Sequence, residues 1–508
     1  MMRSFKNRDI VSIRSFSPEE LVYVIETAKM IKEDRLKKQA AYAHVLEGET
    51  IGIAFFEPST RTRLSFVCAA QALGAHALSF SSTEGTSLLK GESFRHTLQM
   101  LSGYQCSLLV VRDSRDGAAQ YAADVLDIPV VNGGDGKHEH PTQTMLDLLT
   151  IRELFGRLDH LTIGFAGDLK YGRTVRSLQA ALQHFPGISF RYISPPQLKP
   201  PAEELAALER AHIPYKVSEN YESTLPDIDI LYVTRIQEER FPDKQEYEKV
   251  ARSLQLTPDL LLSYAKPSMR ILHPLPINSL KFPEIHPAVD DVLVPGTREK
   301  YARYIEQAAN GLSIRMALLC LLAGKLGTEI REPYELPNYE KKTTLEPVNV
   351  TETKQEANRV LGYIENGTVI DHLQPDALFK VIDLLALPRD KLVILGKNFE
   401  SKKALHGKKG VLKIVDYSPT PNQLNKIAVL SPYATVSYIK NGQVVEKGRV
   451  MLPLRIENIM ECSNPNCISR TEQKEYAPSV FYTLDTVQRI FQCHYCDTTI
   501  SEDAVRLR

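Results

Sequence analysis

The sequence feature that most constrains the fold is an apolar run followed directly by a helix start. Residues 51–56 read Ile-Gly-Ile-Ala-Phe-Phe, which has the length and composition of a buried parallel strand. Pro58 blocks continuation of that strand, and Ser59 or Thr60 can cap a following helix, which we expect over residues 64–71. A strand followed at once by a capped helix is typical of an α/β fold.

The same helix start has the chemistry of an anion site. Its first-turn N–H groups and its dipole favour negative charge. Arg61 and Arg63 add two guanidiniums, which pair well with phosphate or carboxylate. The alternative is an ordinary capped helix whose arginines point into solvent, and this stretch alone does not separate the two.

Length and charge narrow the class of protein. A chain of 508 residues is too long for one core and predicts two to four domains. Lys and Arg together number 62, as do Asp and Glu, so charge gives no reason to expect nucleic acid or an anionic membrane as a partner. The N-terminus lacks the apolar core of a signal peptide, and the longest apolar stretch, residues 317–323, is too short to span a bilayer. We expect a soluble, cytoplasmic protein.

Strand and helix patterns alternate over the first 326 residues, which predicts two doubly wound parallel-sheet subdomains. The first covers residues 1–140 and is rejoined by a helix within residues 298–326, and the second covers residues 141–297. Functional groups of such sheets collect at the carboxyl ends of the strands. Arg112 stands at such a position, just past a strand-like run.

Six motifs of this region occur in the order found in aspartate carbamoyltransferase catalytic chains, and the resemblance covers roughly residues 4–326. The resemblance implies the carbamoyltransferase fold and transfer of a carbamoyl group from carbamoyl phosphate to the amine of L-aspartate, at the start of pyrimidine biosynthesis. The motifs are Ser59-Thr60-Arg61-Thr62-Arg63, Arg112, His140-Pro141-Thr142-Gln143, Gly167-Asp168-Leu169-Lys170-Tyr171-Gly172-Arg173, Thr234-Arg235-Ile236-Gln237 and His273-Pro274-Leu275-Pro276.

The resemblance assigns roles on the carbamoyl phosphate side. The residues that match the phosphate site are Ser59, Thr60, Arg61, Thr62 and Arg112. Thr62, Arg112 and His140 match donors to the carbamoyl oxygen, where negative charge develops as the amine attacks. Gln143 matches the contact to the carbamoyl amide.

The resemblance also assigns the aspartate side. Arg173, Arg235 and Gln237 match the aspartate site, where bidentate pairing suits two carboxylates better than lysine would. Leu275 and Pro276 belong to a motif whose backbone carbonyl meets the substrate amine. The amine attacks directly, so neither a covalent nucleophile nor an organic cofactor is implied.

The rival substrate within this resemblance is ornithine. Ornithine transferases carry a His-Cys-Leu-Pro motif near the second site, whereas residues 273–276 here read His-Pro-Leu-Pro. Arg235 stands where an anion would be met, which favours aspartate. The chain departs from many relatives at Ile277, where they carry a basic residue.

Two further groups of residues take their meaning from the resemblance. Ser87 and Lys90 match a loop that reaches into the neighbouring subunit's site, where the lysine touches the phosphate, so a trimer with shared sites is implied. Taken alone, this Ser-x-x-Lys is a solvated loop. Glu57, Glu239 and Arg240 match interdomain ion pairs of the closed form, with surface charge as the alternative.

Four of the seven cysteines lie in one short C-terminal segment. Cys462-x₄-Cys467 and Cys493-x₂-Cys496 provide four thiolates from two tight loops, which suits a tetrahedral structural Zn²⁺ with no open position. A zinc ribbon alone is equally compatible with nucleic-acid binding.

The surrounding sequence resembles the regulatory chain of aspartate carbamoyltransferase over about residues 358–505. The segments that carry this resemblance are Gly367-Thr368-Val369-Ile370-Asp371-His372, Leu412-Lys413-Ile414 and Asn464-Pro465-Asn466-Cys467-Ile468-Ser469. It implies an α+β nucleotide-binding domain over residues 357–454 and a small zinc-ribbon β domain over residues 455–508. By the same resemblance, Asp371, His372, Lys413 and Lys447 are candidates for an effector site for CTP, UTP or ATP. Gly442 departs from the tyrosine common near that position.

We therefore predict a fusion of a catalytic and a regulatory chain, joined by a Pro-rich, charged linker over residues 327–356. The assembly compatible with this reading is a homo-oligomer, either a trimer or two trimers bridged by paired regulatory domains. The alternative from another class is a non-enzymatic zinc-ribbon binding protein on a degenerate transferase scaffold. The intact set of arginines and His140 argues against that alternative.

Overall fold

The structure of the protein is a computed structural model that describes residues 2–81, 87–236, 241, 243–278, 282–330, 332, 345–348, 361–401 and 407–508. These residues form two units, residues 1–335 with 466–468, and residues 336–465 with 469–508. The predictions for Gln237, Glu239 and Arg240, and for most of the linker over residues 327–356, lie outside the described residues.

The first sheet of the first unit is parallel and has the strand order β2-β1-β3-β4. Its strands are β1 (Thr50–Phe55), β2 (His76–Phe80), β3 (Leu108–Asp113) and β4 (Val130–Asp135). The helices that accompany it are α1 (Pro18–Leu36), α2 (Thr60–Ala72), α3 (Phe94–Gly103) and α4 (Ala118–Val125). Strands β1, β3 and β4 are almost completely buried, as expected of a parallel sheet covered on both faces.

The second sheet is also parallel, with the order β7-β6-β5-β8-β9. Helix α5 (Pro141–Phe155) leads from the first sheet to the second. The strands are β5 (Thr162–Ala166), β6 (Ser189–Ile193), β7 (Tyr215–Ser218), β8 (Ile230–Val233) and β9 (Arg270–Leu272). The helices between them are α6 (Arg173–Leu182), α7 (Ala202–Arg210), α8 (Lys244–Ser253) and α9 (Pro258–Tyr264). Two doubly wound parallel sheets confirm the predicted fold class of this unit.

Helix α10 (Tyr304–Leu322) returns to the first sheet and packs against α1, α2 and α5. It is the one helix of the described residues that is long and apolar enough to cross a membrane. Most of that stretch is buried inside the protein, as in the core helix of a globular domain.

The strand and helix of residues 50–72 differ in their bounds from the prediction. Strand β1 covers Thr50–Phe55, one residue earlier at each end than the predicted 51–56, and α2 begins at Thr60 rather than at Leu64. Ser59 is extended, with φ −157°, and its side chain makes no capping hydrogen bond. The arginines therefore belong to the first turn of the helix instead of to a loop that precedes it.

The second unit contains a six-stranded antiparallel sheet with the order β10-β15-β14-β11-β13-β12. The strands are β10 (Leu345–Pro347), β11 (Gly367–Leu373), β12 (Val393–Glu400), β13 (Lys408–Val415), β14 (Thr435–Lys440) and β15 (Gln443–Val450). Helices α11 (Leu378–Leu385) and α12 (Pro421–Leu430) share an apolar core with the sheet. This is the predicted α+β domain. Strand β10 falls within the segment predicted to be a linker. It is a strand of this sheet because it pairs with β15.

The C-terminal part of the second unit is built from short antiparallel strands in two small sheets, with orders β16-β18-β19-β20 and β17-β21. The strands are β16 (Arg455–Glu457), β17 (Met460–Glu461), β18 (Val480–Asp485), β19 (Ile490–Cys493), β20 (Thr499–Ser501) and β21 (Arg506–Leu507). So little sheet provides only a small apolar core, and a domain of this size commonly needs a metal or disulfides for stability.

Candidate active site

A cleft of about 890 Å³ lies in the first unit, where loops that follow β1, β3, β5, β8 and β9 meet. This is the carboxyl edge of both parallel sheets, where open α/β folds bind ligands. Eleven of the predicted site residues line it: Ser59, Thr60, Arg61, Thr62, Arg112, His140, Gln143, Arg173, Arg235, Leu275 and Pro276.

The N-terminus of α2 opens into this cleft. Thr60, Arg61 and Thr62 form its first turn, whose N–H groups have no partner inside the helix. The Ser59 hydroxyl leaves these groups uncapped. The turn can therefore offer backbone donors, hydroxyls and one guanidinium to an anion.

Arg112, at the end of β3, is held rigidly beside this turn. Its side chain is buried, Nη1 donates to the carbonyl of Gly133 over 3.0 Å, and Nη2 lies 3.1 Å from a carboxylate oxygen of Glu57. Gly134, at φ +113°, leaves room for the guanidinium, because a Cβ there would lie 2.5 Å from Nη1. Burial and the nearby positive charge of Arg173 lower the Arg112 pKa. A bound anion, as a second negative charge beside Glu57, would relieve the repulsion between Arg112 and Arg173.

His140 immediately precedes α5 and is buried. Its Nε2 lies 3.4 Å from Oγ1 of Thr62, and its Nδ1 lies 3.4 Å from Oγ1 of Thr142. Burial, with the positive charges of Arg112, Arg173 and Arg315, holds the pKa of His140 well below its usual value. The imidazole is therefore neutral near pH 7 and has one donor and one acceptor nitrogen.

The other side of the cleft carries two more predicted arginines. Arg173 opens α6, is half-buried, and donates to the carbonyl of Gly136. Arg235 follows β8 and is exposed. Both line the cleft, so cationic groups face one another across it.

The loop after β9 has an unusual backbone. Leu275 has φ +52°, in the left-handed region that residues other than glycine rarely adopt, and the Leu275–Pro276 peptide is cis. The Leu275 N–H donates to Nδ1 of His273 over 2.8 Å, and Nε2 of His273 lies 2.9 Å from Glu284. Ile277, the departure noted in the sequence, packs on the apolar core of the second sheet.

Ser87 and Lys90 are not brought into the cleft of their own chain. They lie on a short 3₁₀ helix, Ser87–Lys90, on which both side chains are exposed and neither lines the cleft. Their roles stay a prediction.

The sequence analysis missed several residues at the site, among them Arg315 and Asp147. Arg315 lines the cleft from α10, and burial lowers its pKa to about 10. Its guanidinium lies 5.0 Å from the centre of the Phe66 ring, and Nη2 donates to Oγ1 of Thr142 over 3.5 Å. Asp147, one turn beyond Gln143 on α5, accepts a hydrogen bond from the Gln143 side chain. The only sequence signal for either was a charged residue inside an apolar helix.

The four C-terminal cysteines form a cluster in which all four sulfur atoms lie within 4.8 Å of one another, and all four side chains are buried. Sγ of Cys462 and Sγ of Cys496 are 3.6 Å apart. This is close to the ~3.8 Å separation of two thiolates around a tetrahedral zinc, and far longer than the ~2.05 Å of a disulfide. The cluster therefore fits a metal held by four thiolates.

The candidate effector residues lie on the large antiparallel sheet. Lys413 and Lys447 belong to one cross-strand row, which runs from β13 through Val369 and Ser437 to β15. Lys413 is buried and donates to the carbonyl of Gly362 over 2.6 Å. Burial lowers its pKa.

Asp371 and His372 lie at one end of β11. The Asp371 carboxylate accepts from Nζ of Lys409 over 2.7 Å and from the backbone N–H of His372 over 2.6 Å. Lys409 is a further cation at this place that the sequence analysis did not select. Together with Lys413, it gives this end of the sheet two lysines near one carboxylate.

Gly442 has a structural reason to be glycine. It occupies the Asn-Gly turn between β14 and β15, with φ +51° at Asn441 and +76° at Gly442, as a type I′ hairpin turn requires. A Cβ at Gly442 would lie 2.6 Å from the hydroxyl of Tyr363. A tyrosine at this position would therefore be strained.

Family profiles match nearly the whole chain. The carbamoyl-P binding domain of aspartate/ornithine carbamoyltransferase matches residues 8–153, and the Asp/Orn binding domain matches residues 159–322. The aspartate carbamoyltransferase regulatory chain matches with its allosteric domain over residues 360–451 and with its metal binding domain over residues 454–506.

Curated relatives and solved structures agree with this. The aspartate carbamoyltransferase catalytic subunits of Hyperthermus butylicus and Methanosarcina mazei are each 46% identical, covering 63% and 64% of this chain and 98% and 99% of their own. The catalytic subunit of M. jannaschii aspartate transcarbamoylase matches with TM-score 0.56 and 37% identity, over 63% of this chain and 98% of its own. The Trypanosoma cruzi enzyme in complex with carbamoyl phosphate and aspartate matches with TM-score 0.56 and 31% identity, over 63% of this chain and 97% of its own.

Two doubly wound sheets that meet at a cleft lined with arginines define a carbamoyltransferase. The chain belongs to the aspartate carbamoyltransferase family, and it joins the family's catalytic and regulatory regions in one polypeptide. The predicted fusion is thereby confirmed.

Proposed function

We propose that the cleft transfers the carbamoyl group of carbamoyl phosphate to the amine of L-aspartate, giving N-carbamoyl-L-aspartate and phosphate. The observation that carries the proposal is the charge of the cleft. Two carboxylates, those of Glu57 and Asp168, face a larger set of cations. The cations among the described residues that line the cleft are Arg61, Lys137, Arg112, Arg173, Arg235 and Arg315. Such a surplus suits two substrates that bring a phosphate and two carboxylates.

Carbamoyl phosphate would bind at the first turn of α2. In this proposal, Ser59, Thr60, Arg61 and Thr62 hold the phosphate through N–H groups, hydroxyls and the guanidinium. Arg112 completes the phosphate site from the end of β3. Its buried, crowded position supports the proposal, because an anion there is little screened by water.

The carbamoyl oxygen would lie between Thr62, Arg112 and His140. The Arg315 guanidinium only donates, so Oγ1 of Thr142 accepts from it. In this proposal the Thr142 hydroxyl gives its own hydrogen to Nδ1 of His140, which lies 3.4 Å away. In the neutral ring this leaves the proton on Nε2, which faces Thr62 and the cleft. His140 would thus act as a hydrogen-bond donor and not as a base.

The reaction itself would need no covalent enzyme intermediate. The uncharged amine of aspartate attacks the carbamoyl carbon, and the carbonyl oxygen takes negative charge stabilised by the three donors. The carbon–oxygen bond to phosphate then breaks, phosphate leaves with the bonding electron pair, and the proton that the amine gives up passes to the leaving phosphate. The chain contributes positioning and electrostatic stabilisation.

Aspartate would bind on the side of the second sheet. Arg173 and Arg235 would pair with its carboxylates, and Gln237 is assigned to the same subsite. The carbonyl of Leu275 would accept from the amine. The left-handed backbone of Leu275, fixed by its hydrogen bond to His273, supports a positioning role for this loop.

Ser87 and Lys90 would serve the cleft of a neighbouring chain, as part of a homotrimer or of two trimers bridged by regulatory domains. Their exposure outside the cleft of their own chain supports this assignment. Mixing a Lys90→Ala chain with an Arg112→Ala chain tests it. Mixed oligomers should regain activity at sites that combine intact Arg112 with intact Lys90. If the mixed oligomers are no more active than the two separate variants, each active site is formed within one chain.

The four-cysteine cluster would hold a structural zinc ion. Four thiolates at tetrahedral separations leave no coordination position for a substrate, so the ion would stabilise the fold without entering the reaction. All seven cysteines are free of disulfides, which is what a reducing cytoplasm would maintain.

The antiparallel sheet of the second unit would bind CTP, UTP or ATP. Lys413 and Lys447 would meet the triphosphate and ribose, and Asp371 and His372 would line the same site. The shared row of the two lysines and the second cation at Lys409 support an anionic ligand.

The first experiment is carbamoyl aspartate formation measured against aspartate concentration on zinc-replete protein, with and without each nucleotide. Activity shifted by a nucleotide would support both proposals. Activity that does not change when a nucleotide is added would mean that the second unit serves only in assembly. Absence of activity would overturn the proposed function and would favour the alternative of a non-enzymatic zinc-ribbon binding protein.

A further inference from the structure

A fully buried carboxylate lies behind the floor of the cleft. Oδ1 of Asp147 accepts from Nε2 of Gln143 over 2.9 Å and from Nε2 of Gln307 over 2.6 Å, and Oδ2 accepts from the hydroxyl of Tyr232 over 2.9 Å. The three donors come from α5, α10 and β8. The second sheet, the helix that connects the two sheets and the helix that returns to the first sheet thus meet at this one side chain.

This contact decides which way the Gln143 amide faces. An amide side chain has a donor NH₂ end and an acceptor oxygen end. Because Oδ1 of Asp147 is an acceptor, the NH₂ end of Gln143 turns toward it. The oxygen end is then available to the cleft, which Gln143 lines.

The orientation does not depend on whether Asp147 carries a charge. Burial raises the pKa of Asp147 to about 7, so both protonation states occur near neutral pH. Oδ1 accepts two hydrogen bonds and Oδ2 only one, so a proton would occupy Oδ2. Gln143 meets the same acceptor in either state.

An amide oxygen that faces the cleft can accept from an N–H group of a substrate. A carbamoyl group presents an NH₂, whereas an acetyl group of similar size presents a methyl group and would leave that oxygen unsatisfied. We propose that Asp147 is a positioning residue that orients Gln143 so that the cleft selects carbamoyl phosphate over acyl phosphates without an N–H donor. This inference rests on the proposed function.

The same carboxylate also reaches the aspartate side. Gln307, which donates to Asp147, accepts through Oε1 from the backbone N–H of His273 over 2.8 Å. His273 in turn holds the N–H of Leu275. One chain of hydrogen bonds therefore connects the group assigned to the carbamoyl amide with the loop assigned to the amine.

The test compares Asp147→Ala, Asp147→Asn and Tyr232→Phe with the wild type in the full-length, zinc-replete protein. Two constants are measured for each: KM for carbamoyl phosphate, and the inhibition constant of acetyl phosphate competing with it. In Asp147→Ala, where the amide is free to turn, KM should rise about tenfold while the inhibition constant changes less than about threefold. In Asp147→Asn, whose Oδ1 keeps both acceptor roles, the ratio of the two constants should stay at the wild-type value.

Tyr232→Phe is the matched control for lost stability. It removes the hydroxyl that bonds the Asp147 carboxylate and also contacts Gln143, but it leaves the Gln143–Asp147 hydrogen bond that orients the amide, so thermal stability should fall while the ratio is unchanged. If Asp147→Ala does not fold, Asp147→Leu takes its place, because leucine fills the site with a branched side chain, somewhat larger than aspartate, that has no acceptor. Equal change of both constants in the Ala or Leu variant, or loss of selectivity in Asp147→Asn, would overturn the inference. A wild type without carbamoyl transfer would instead overturn the proposed function.

Discussion

Oγ1 of Thr62 lies 3.4 Å from Nε2 of His140, so the first turn of α2 and the residue before α5 meet at one point of the cleft. The two helices follow strands of the same parallel sheet, β1 and β4, whose carboxyl ends lie at one edge. The contact places a helix N-terminus, a hydroxyl and a neutral imidazole around a single site. On the far side of the ring, Oγ1 of Thr142 accepts from Arg315 and lies 3.4 Å from Nδ1.

Thr142→Val should lower kcat about tenfold with little change in KM. The variant keeps the shape of the side chain but removes the hydroxyl that fixes the His140 tautomer, so the Nε2 donor is present only part of the time. His140→Ala should cost about 10²-fold in kcat, the loss typical of one oxyanion donor. The double variant should be no slower than His140→Ala, because both changes act through one donor. Additive losses from the two substitutions would disprove this link.

The pH dependence of stability should show that His140 stays neutral in the folded protein. Its folded pKa lies well below the ordinary value of about 6.5, so below pH 6.5 the unfolded chain binds a proton that the folded protein does not. The free energy of unfolding therefore falls as the pH falls. Between pH 7.5 and pH 5.5 this one group should remove about 1.4 kcal/mol from it.

Urea unfolding followed by circular dichroism measures this effect as the difference between the wild type and His140→Asn. Asparagine cannot be protonated, so the variant should lose about 1.4 kcal/mol less over the same pH interval. Other titrating groups cancel in the difference. Parallel pH profiles for the two proteins would mean that His140 titrates normally in the fold.

The sequence predicted the parts of the site that lie in local patterns. Residues 51–63 were enough for a strand, a turn and an anion-binding helix start, because the strand and the helix are adjacent in the chain. The helix began at Thr60, about one turn earlier than expected, because Ser59 supplies the required extended backbone without a side-chain cap. Local sequence does not show whether a hydroxyl caps a helix or faces a ligand.

The parts of the site that the sequence could not predict depend on long-range packing. Asp147 and Gln307 are 160 positions apart, and each is a polar residue within a largely apolar helix. Arg315 has the same appearance, although it lines the cleft. A buried polar residue needs partners, but its sequence neighbours do not say which ones they are. Only the helix packing identifies them.

Metal removal should affect the C-terminal β domain and the cleft differently. Chelation by a strong zinc chelator, or the substitution Cys493→Ser, should abolish the folded state of the C-terminal β domain, since its small sheets add little apolar core. Carbamoyl transfer at saturating aspartate should persist, because the cleft groups assigned to the reaction belong to the first unit. Elemental analysis should give one zinc ion per chain. Cys68→Ser, which changes an exposed thiol outside the cluster, is the control.

Arg235→Ala should raise KM for aspartate at least about 30-fold. The binding of carbamoyl phosphate should stay close to normal, because this substrate has no carboxylate for Arg235 to pair with. The expected cost follows from the loss of one charge-assisted pairing, worth about 2 kcal/mol or more. Arg210→Ala is the matched control, because this arginine of the same sheet region is exposed and lies outside the cleft. Steady-state kinetics with each substrate varied in turn measure both constants. Equal loss on both substrates would refute the role given to Arg235.

Lys413→Met should raise the Kd for ATP and CTP at least about tenfold. The lysine is buried on the face of the sheet opposite the core shared with α11 and α12, so a phosphate that pairs with it is poorly screened by water. Methionine keeps the length and apolar stem of the side chain, which limits any loss of packing. Lys380→Met is the control, because Lys380 is exposed on α11. Equilibrium dialysis with each nucleotide gives Kd directly. If the two variants bind nucleotide equally well, the row from β13 to β15 is not the effector site.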